Sequence, residues 1–257
     1  MRKVYLIMYA IIWYTPLHVF AKQSDSVEVN QQEMVRKDSI PKPAQQKSLL
    51  KKSVLPISLI AVGSALSGSP FEKNIKYKIR DNIIEDFALP IDDLMQYVPI
   101  AEIYIADIVG VKAKNHWFDQ TKYLIISNVI TASITQAGKR IINKQRPNGS
   151  NHSFPSGHTS FSFTNSAVLF EEFRDSSKGF AYSGYFLTST VGALRVINNA
   201  HWLSDVMVGA GLGILVTKLV YHYEPLKNWN PFEKSKNLTF IPKVNGSNYG
   251  FQLVYKL

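Results

Sequence analysis

Three short stretches of the chain combine cations with histidines, which are the residue types that can hold and attack a phosphate group. All three fall between residues 139 and 205. Each is a weak signal alone, but together and in this order they indicate one phosphate-handling site. The stretches contain Lys139, Arg146 and Pro147, then Pro155, Ser156, Gly157 and His158, and finally Arg195, His201 and Asp205.

The first stretch is predicted to lie at the end of a helix. A spacing of seven residues returns to nearly the same helical face, so Lys139 and Arg146 would project toward one point. Arg offers a planar fork of donors for phosphate oxygens, and Lys offers a compact charge. Taken alone, the pair could equally be a basic helix end that interacts with its own dipole.

The second stretch leads from a loop into an apolar helix. A helix start has unpaired N–H groups and a partial positive charge, which favour an anion. Gly157 would let a ligand approach the backbone, and the Ser156 hydroxyl could donate to a phosphate oxygen. The alternative is a plain Pro/Ser helix cap in which His158 only fills space.

The third stretch has the most specific spacing. His201 and Asp205 are four residues apart, on one face of a helix predicted to begin near residue 201. A carboxylate there can accept one imidazole N–H and leave the other nitrogen free to attack. Arg195 lies one short loop before this helix. An idle surface His/Asp pair is the alternative.

The charge balance of these residues favours an anion over a metal ion. Two histidines and a carboxylate could bind zinc or iron, but Lys139, Arg146 and Arg195 would repel a divalent cation. Cysteine is absent, which excludes thiolate ligands and thiol nucleophiles. We therefore expect a phosphate site with no metal and no cofactor.

As a set, these motifs resemble the signature of the type 2 phosphatidic acid phosphatase (PAP2) superfamily, which includes bacterial acid phosphatases and vanadium haloperoxidases. The resemblance covers residues 139–205, and helical surroundings from about 54 to 223 are compatible with it. One departure is Leu194, where the family usually has a serine. The run from His201 to Asp205, followed by Gly209 to Gly213, is similar to the membrane-associated lipid phosphatases of bacterial envelopes.

The resemblance implies a role for each site residue. His201 would be the nucleophile that forms a phosphohistidine, Asp205 would orient it, and His158 would protonate the leaving alcohol. His152 could line the pocket, whereas His116 and His222 would be interfacial or structural. The phosphoryl oxygens would be held by Lys139, Arg146, Ser156, Gly157 and Arg195.

The rest of the chain predicts an all-α bundle of about six helices. The net charge of +10 is compatible with an anionic partner, but no nucleic-acid-binding motif is present. One or two surface helices are expected in the amphipathic stretch 71–90. Apolar segments rich in small residues, which favour close helix packing, occupy 54–69, 97–111, 122–138, 156–173, 180–199 and 204–223.

Four regions are expected along the chain. Residues 1–21 would be a signal peptide or an uncleaved N-terminal anchor, and residues 22–52 a flexible polar leader. Residues 53–224 would form the helical phosphatase domain. Residues 225–257 would form a short β-tail, because alternating apolar residues flank Asn245-Gly246.

Membrane embedding is favoured over a freely soluble protein, although several segments are short for the roughly 20 residues that a span needs. The preferred hypothesis is a metal-independent phosphatase acting on a lipid phosphate or diphosphate of the lipid A, undecaprenyl diphosphate or phosphatidylglycerol phosphate type. Its partners would be that lipid and the membrane. A soluble periplasmic acid phosphatase and a vanadium haloperoxidase are the alternatives.

The expected location is the bacterial inner membrane with the site facing the periplasm. Export of the N-terminus, followed by a span at every apolar segment, would instead put the site in the cytoplasm. Either one early segment, 54–69 or 97–111, does not span, or the signal-peptide prediction is wrong.

Overall fold

The structure is a computed structural model that describes residues 49–81, 89–227 and 229, together with the backbone of 238–245 and 248–255. The predicted signal peptide or anchor, and all but the last four residues of the predicted leader, lie outside the described residues. Eight helices occur in the described part: α1 (Leu49–Leu66), α2 (Pro70–Asp81), α3 (Asp92–Met95), α4 (Val98–Ile108), α5 (Trp117–Ile142), α6 (Gly157–Phe173), α7 (Lys178–Ile197) and α8 (Leu203–Tyr223).

Six of these helices overlap the six apolar segments of the sequence, and α2 and α3 are additional. α2 falls in the amphipathic stretch 71–90, whereas α3 is a single turn too short to show periodicity. α1 begins at Leu49, inside the region predicted as leader, and Pro56 lies within it rather than near its start. Pro56 is buried, and its carbonyl lies beside Gly211 of α8.

Helix α6 is the central element of the bundle and packs against α4, α5, α7 and α8. It is almost wholly buried, and its sequence is rich in Ser, Thr and small residues that allow neighbouring backbones to approach. The hydroxyls pair with neighbouring helices: Thr164 donates to Thr131 of α5 at 3.1 Å, and Ser166 donates to Thr188 of α7 at 3.1 Å.

Two glycines of α8 are required by close backbone contact. A Cβ at Gly213 would lie 2.6 Å from Ser160 O, and one at Gly211 would lie 2.6 Å from Pro56 O. Any side chain at these positions would push α8 away from α6 or α1. The glycine-rich stretch of the third sequence motif is thus explained by packing.

An apolar core fills the half of the bundle where α6 and α8 end. It joins α4, α5, α6, α7 and α8 and is sealed by aromatic contacts such as Tyr123–Tyr221, with ring centroids 5.2 Å apart. Its buried members are Ile103, Ala106, Tyr123, Leu124, Val168, Leu169, Phe173, Ala181, Val216, Val220 and Tyr221.

Helices α1 and α8 run antiparallel, which fixes the two ends of the bundle. Pro56 of α1 contacts Gly211, and Gly63 lies against Val208 and the Ser204 carbonyl near the start of α8. The end of α1 is therefore level with the start of α8, where the third motif lies. The beginning of α1 and the end of α8 share the opposite end.

Much apolar surface of the outer helices is uncovered in the described chain. Only 17% of α1 is buried, although its mean hydropathy of 1.5 is high. α8 is also long and apolar enough to cross a membrane, but 61% of it is buried, as in any core helix. Large exposed apolar residues on α1, α4 and α5 include Leu50, Val54, Leu55, Ile57, Val62, Ile105, Ile108, Ile125, Val129, Ile130, Ile134, Ile141 and Ile142.

Two antiparallel strands follow the helices in the described backbone, in the region where the sequence predicts a β-tail. They are β1 (Leu238–Asn245) and β2 (Asn248–Tyr255), with Asn245 paired to Asn248. Pro242 lies within β1 opposite Phe251, which a two-stranded ladder tolerates because each strand has a free edge.

Candidate active site

A cavity of about 510 Å³ opens beside α5 and α6 and brings residues of all three motifs together. It receives side chains from α5, α6, the loop after α5, the end of α7 and the loop before α8. Six of the eight predicted site residues line it or carry its charge: Lys139, Arg146, Gly157, His158, Arg195 and His201.

The first motif reaches the cavity from two elements rather than from one helix. α5 ends at Ile142, and Asn143 has a left-handed backbone (φ 43°), so Arg146 belongs to the following loop. The expectation that Lys139 and Arg146 share a helical face is therefore wrong. The loop folds back because Lys139 Nζ donates to the carbonyl of His152 at 2.8 Å and the Arg146 N–H donates to the carbonyl of Ser150 at 2.7 Å.

Arg146 and Arg195 each have a guanidinium N–H donor that is available to a ligand. Arg146 Nε and Arg195 Nε are buried and have no hydrogen-bond partner among the described residues. Buried guanidinium N–H groups without partners are costly. A phosphate dianion between these side chains would accept from both, in the forked geometry that arginine provides.

The second motif starts α6 as predicted, and the Ser156 hydroxyl, which the sequence suggests as a phosphate ligand, has protein partners in this structure. Its side chain is fully buried and is not among the residues that line the cavity. Ser156 Oγ instead caps the helix by accepting from the Thr159 N–H at 3.5 Å, and the Ser156 N–H donates to the Asp205 carbonyl at 3.0 Å. Ser156 therefore joins the second motif to the third, and Gly157 lines the cavity.

The third motif is built at a helix start rather than along a helical face. α8 begins at Leu203, so His201 precedes it, while Asp205 lies in its first turn and accepts from the Trp202 N–H at 3.0 Å. His201 Nδ1 is 3.6 Å from Asp205 Oδ2, and only 1% of the side chain is exposed. Because Nδ1 faces Asp205, Nε2 is the ring nitrogen that remains for a ligand, and His201 lines the cavity.

The Asp205 carboxylate accepts several further hydrogen bonds. Lys144 Nζ donates to Oδ1 at 3.0 Å, Ser204 Oγ donates to Oδ1 at 3.4 Å, and Ser153 Oγ donates to Oδ2. Ser153 also lies 3.4 Å from His201 Nδ1. Asp205 is thus held rigidly as an anion, which a group that orients an imidazole requires.

Lys144 connects this carboxylate to a buried glutamate of α2. Its ammonium is 3.3 Å from Glu72 Oε2 and also donates to Ser204 Oγ at 2.7 Å. Glu72, which is 2% exposed, accepts from the Ser204 N–H at 3.0 Å and so caps the start of α8. Helix α2 therefore stabilises the His201–Asp205 pair through the contacts of Glu72 with Lys144 and Ser204.

Burial lowers the pKa of His201 to about 4; the Asp205 hydrogen bond opposes this shift, and the Lys139 and Arg146 cations reinforce it. The imidazole is consequently neutral near neutral pH. A neutral imidazole with one nitrogen facing a carboxylate has the free lone pair that a nucleophile needs.

His158 and Arg195 are both paired with carboxylates of α3. His158 Nε2 is 2.9 Å from Asp93 Oδ1, and Arg195 Nη1 is 2.7 Å from Asp92 Oδ2 and 3.5 Å from Asp93 Oδ1. Burial lowers the pKa of His158 below its ordinary value, and Arg195 acts in the same direction while Asp93 opposes it. Asp93 is the anion that favours the protonated form of His158.

Five contributors were missed by sequence reasoning. Asp92 and Asp93 lie about 100 residues before Arg195, and Glu72 lies even earlier in the chain. Lys144 and Ser153 are inside the motif region, but their types are common in loops. No sequence pattern links the carboxylates to the motifs, because only the packing of α2 and α3 brings them close.

The three other histidines of the described chain lie outside the cavity. The expectation that His152 lines the pocket is wrong: it is exposed, and its Nδ1 is 3.0 Å from the Lys139 carbonyl. His116 accepts from the Phe118 N–H at the start of α5, a structural role. His222 lies in the last turn of α8, far along the helix from the cavity.

Comparison with known proteins identifies the same region. Residues 120–229 match the sequence model of the PAP2 superfamily. A lipid A 1-phosphatase of Porphyromonas gingivalis is 30% identical over 190 residues, which are 73% of this chain and 42% of that protein. The chain thus spans less than half the length of this relative.

A solved structure shares the fold at low sequence identity. The transmembrane PAP2 type phosphatidylglycerolphosphate phosphatase of Bacillus subtilis superimposes with a TM-score of 0.50 at 17% identity, covering 69% of this chain and 98% of that one. Aquifex aeolicus LpxE gives a TM-score of 0.47 at 17% identity, covering 62% and 99%. The residues 120–229 that match the PAP2 superfamily contain all three motifs of the site.

Proposed function

We propose that the protein is a phosphatase that removes a phosphate group from a lipid through a phosphohistidine intermediate. The observation that carries this proposal is one cavity that holds three cations and two imidazoles, with His201 backed by Asp205. Cations that surround a phosphate stabilise the charge of phosphoryl transfer, which is the main task of such an enzyme.

The first step transfers the phosphoryl group to the protein. His201 Nε2 attacks phosphorus, an N–P bond forms, and the bond from phosphorus to the lipid oxygen breaks. Protonated His158 gives its proton to that oxygen, so a lipid monophosphate leaves as a neutral alcohol and a lipid diphosphate leaves as a lipid monophosphate. Lys139, Arg146 and Arg195 hold the other phosphoryl oxygens.

The second step regenerates the enzyme. His158, now neutral, accepts a proton from a water molecule that attacks phosphorus, and the N–P bond breaks to release inorganic phosphate. Asp205 keeps the His201 ring in place throughout, because Lys144, Ser153 and the Trp202 N–H immobilise the carboxylate. Ser156 supports this geometry as a helix cap, and the Gly157 backbone faces the phosphate.

A lipid substrate is supported by the uncovered apolar surface of α1, α4 and α5 and by the lipid A 1-phosphatase to which the chain is similar. Embedding this surface in a bilayer would remove it from water. Lipid A, undecaprenyl diphosphate and phosphatidylglycerol phosphate are the candidate substrate types.

Phosphate release tests the activity directly. Purified wild-type protein and the His201→Ala variant should be assayed on these lipids in detergent, with His222→Ala as the matched control far from the cavity. We expect release by wild type and by His222→Ala, and at least a thousandfold lower kcat for His201→Ala. Equal rates for wild type and His201→Ala would disprove the proposal.

A soluble acid phosphatase acting on small esters is the second candidate, because the mean hydropathy of −0.06 is low for a protein with many membrane spans. Membrane fractionation separates the two hypotheses. An embedded protein stays in the pellet after a carbonate wash and leaves it only with detergent, whereas a soluble enzyme appears in the supernatant.

We further propose that the site faces the periplasm. Since the start of α1 and the cavity lie at opposite ends of the bundle, this orientation requires Leu49 on the cytoplasmic side. It therefore favours an N-terminal segment that leaves residue 49 in the cytoplasm over a cleaved export signal.

Single cysteines can test this orientation without background, because the chain contains no cysteine. Asn151→Cys lies in the loop beside the cavity and Lys51→Cys lies at the start of α1, and both positions are exposed. In spheroplasts, a membrane-impermeant maleimide should label Asn151→Cys but reach Lys51→Cys only after lysis. The reverse pattern would place the site in the cytoplasm.

A further inference from the structure

Helix α2 lies across the end of the bundle that carries the three motifs. It begins at Pro70, just after α1 ends at Leu66. Glu72 in its first turn accepts from the Ser204 N–H at the start of α8. Its later turns reach the end of α7, since Ile79 shares a small cavity with residues 196 and 199. The helix therefore lies parallel to any surface that α1, α7 and α8 cross.

The turn between α1 and α2 is fixed by local contacts. Gly68 has a left-handed backbone with φ 77°, and its N–H donates to Glu72 Oε2 at 2.8 Å. The Glu72 N–H in turn donates to Ser69 Oγ at 3.2 Å, which caps the start of α2. The change of direction after α1 is thus built into the sequence of the turn.

The inner side of α2 is attached to the catalytic region. Lys76 Nζ donates to the Pro147 carbonyl at 2.8 Å and lies 5.2 Å from the centre of the Trp202 ring. Glu72 is 2% exposed, and its carboxylate is 3.3 Å from the Lys144 ammonium. The position of α2 therefore determines the position of the loops that form the site.

An apolar row along α2 is covered only in part. Phe71, Ile75 and Ile79 are spaced four residues apart, so they follow one side of the helix; we call these three the α2 stripe. Phe71 is 58% exposed, and the two isoleucines are partly buried. The described chain thus leaves apolar surface of α2 uncovered beside the end of α1.

The charge of α2 is positive on its outer side. Lys78 follows Ile75 by three residues and therefore flanks the α2 stripe, and both Lys73 and Lys78 are exposed. The negative charge of Glu72 is directed inward to Lys144. The helix has four basic and two acidic residues in total, which are Lys73, Lys76, Lys78 and Arg80 against Glu72 and Asp81.

A lipid surface fits this helix in both composition and position. An apolar row beside lysines and arginines is typical of helices that lie in the plane of a membrane interface. Helix α1 is apolar and only 17% buried, so a bilayer that covers it would end where α1 ends, at the level of α2. Exposed lysines at that level would meet the phosphates of anionic lipid headgroups.

We propose that α2 docks on the surface of an anionic lipid bilayer, with the α2 stripe at the boundary between headgroups and acyl chains. The inference rests on the proposed membrane location of the protein and adds a contact that the phosphatase reaction does not require. Because α2 is attached to the catalytic loops, docking would hold the cavity at the depth where lipid phosphates lie.

The test measures the depth of α2 without using catalysis. The chain contains no cysteine, so Phe71→Cys gives a single site for the environment-sensitive fluorophore NBD. Tyr77→Cys is the reference on the same helix, because residue 77 is two positions from both isoleucines of the α2 stripe and is directed away from them. Both full-length proteins are placed in nanodiscs of phosphatidylcholine, with or without about one third phosphatidylglycerol.

The contribution of charge is tested in the labelled Phe71→Cys protein. Lys78→Gln removes one exposed cation beside the α2 stripe, and Lys78→Glu reverses its charge. Lys178→Glu is the matched control, because Lys178 is an exposed lysine in the first turn of α7, at the opposite end of the bundle. Emission wavelength and quenching by aqueous iodide are measured for each protein.

In anionic nanodiscs, iodide should quench the label at position 71 roughly fivefold less than the label at position 77, and emission at position 71 should lie at shorter wavelength. Protection at position 71 should fall about twofold in phosphatidylcholine alone. Lys78→Gln should remove part of this difference between lipids and Lys78→Glu most of it, whereas Lys178→Glu should leave it unchanged. High salt should also reduce the difference, because salt screens exposed charges.

Equal quenching at positions 71 and 77 in every lipid would overturn the docking of α2, and a protein that stays outside the bilayer would give this result. Equal protection in neutral and anionic nanodiscs, or the same effect of Lys78→Glu and Lys178→Glu, would overturn the recognition of anionic headgroups. Failure of the phosphatase function is a separate outcome: the label at position 71 would be protected although the wild type releases no phosphate from any lipid.

Discussion

Lys144 Nζ lies 3.0 Å from Asp205 Oδ1, so the carboxylate that faces His201 is shared between a histidine and a lysine. The lysine side chain is 15% exposed and that of Asp205 is fully buried. Lys144 is also 3.3 Å from Glu72 Oε2, and it therefore lies between two buried anions. The cation offsets the buried charge of the carboxylates beside the His201 imidazole.

Replacing Lys144 by Met should lower kcat roughly tenfold, because Asp205 would lose a strong anchor. It should also raise the pKa of His201, since a positive charge near the Asp205–His201 pair is removed and the imidazolium becomes more favourable. The acidic limb of the kcat/KM profile would then move to higher pH. Steady-state kinetics on one lipid phosphate between pH 3 and 9 would measure both effects.

Lys144→Arg is the matched variant for this test because it keeps the charge. Its acidic limb should coincide with that of the wild type, even if kcat falls. A shift of equal size in Lys144→Arg and Lys144→Met would contradict an electrostatic role. If the acidic limb of the kcat/KM profile is unchanged in both variants, the role of Lys144 is structural only.

The pH profile of the wild type should have an acidic optimum. His201 must be neutral to attack. Burial lowers its pKa to about 4, although the hydrogen bond with Asp205 acts in the opposite direction, so kcat/KM should rise as the pH increases through about 4. His158 must be protonated to act as the acid, and its pKa is below the ordinary 6.5, so the rate should fall before the pH exceeds that value. An optimum above pH 8 would contradict these assignments.

Asp93→Asn should move the alkaline limb to lower pH. Asp93 lies 2.9 Å from His158 and favours its protonated form, so its removal lowers the pKa of the general acid further. The shift should be modest, because the Asp93 side chain is 61% exposed and solvent screens its charge. Asp119→Asn, at the far end of α5, is a suitable control that should leave both limbs unchanged.

Gly213→Ala should destabilise the bundle by about 1–3 kcal/mol, because the new methyl group would meet backbone atoms of α6 that cannot move independently. The nearest is Ser160 O, at 2.6 Å from the added Cβ. Gly179→Ala is the control: it lies in the first turn of α7 and an added Cβ meets nothing within 4 Å. Thermal unfolding in detergent should show a lower Tm for the first variant and an equal or higher Tm for the second.

The long helices, and the meeting of six predicted site residues at one cavity, were accessible from the sequence because both follow from local patterns. Apolar periodicity located the long helices, and the spacing of cations and histidines predicted a shared phosphate site. The local geometry was less predictable: Arg146 is in a loop after the left-handed Asn143, His201 precedes α8, and the Ser156 hydroxyl caps a helix. Side-chain hydrogen bonds at helix ends decide such details.

The sequence by itself determined the chemistry of the site: the residue types that can bind a phosphate, attack it and protonate a leaving group are all present in adjacent motifs. Only the tertiary structure decided the environment of that chemistry. Asp93 meets His158, Glu72 and Lys144 support Asp205, and α5 lines the cavity because α2, α3 and α5 pack against distant parts of the chain. Such contacts depend on the three-dimensional packing of whole helices, and residue order along the chain does not encode them in any local pattern.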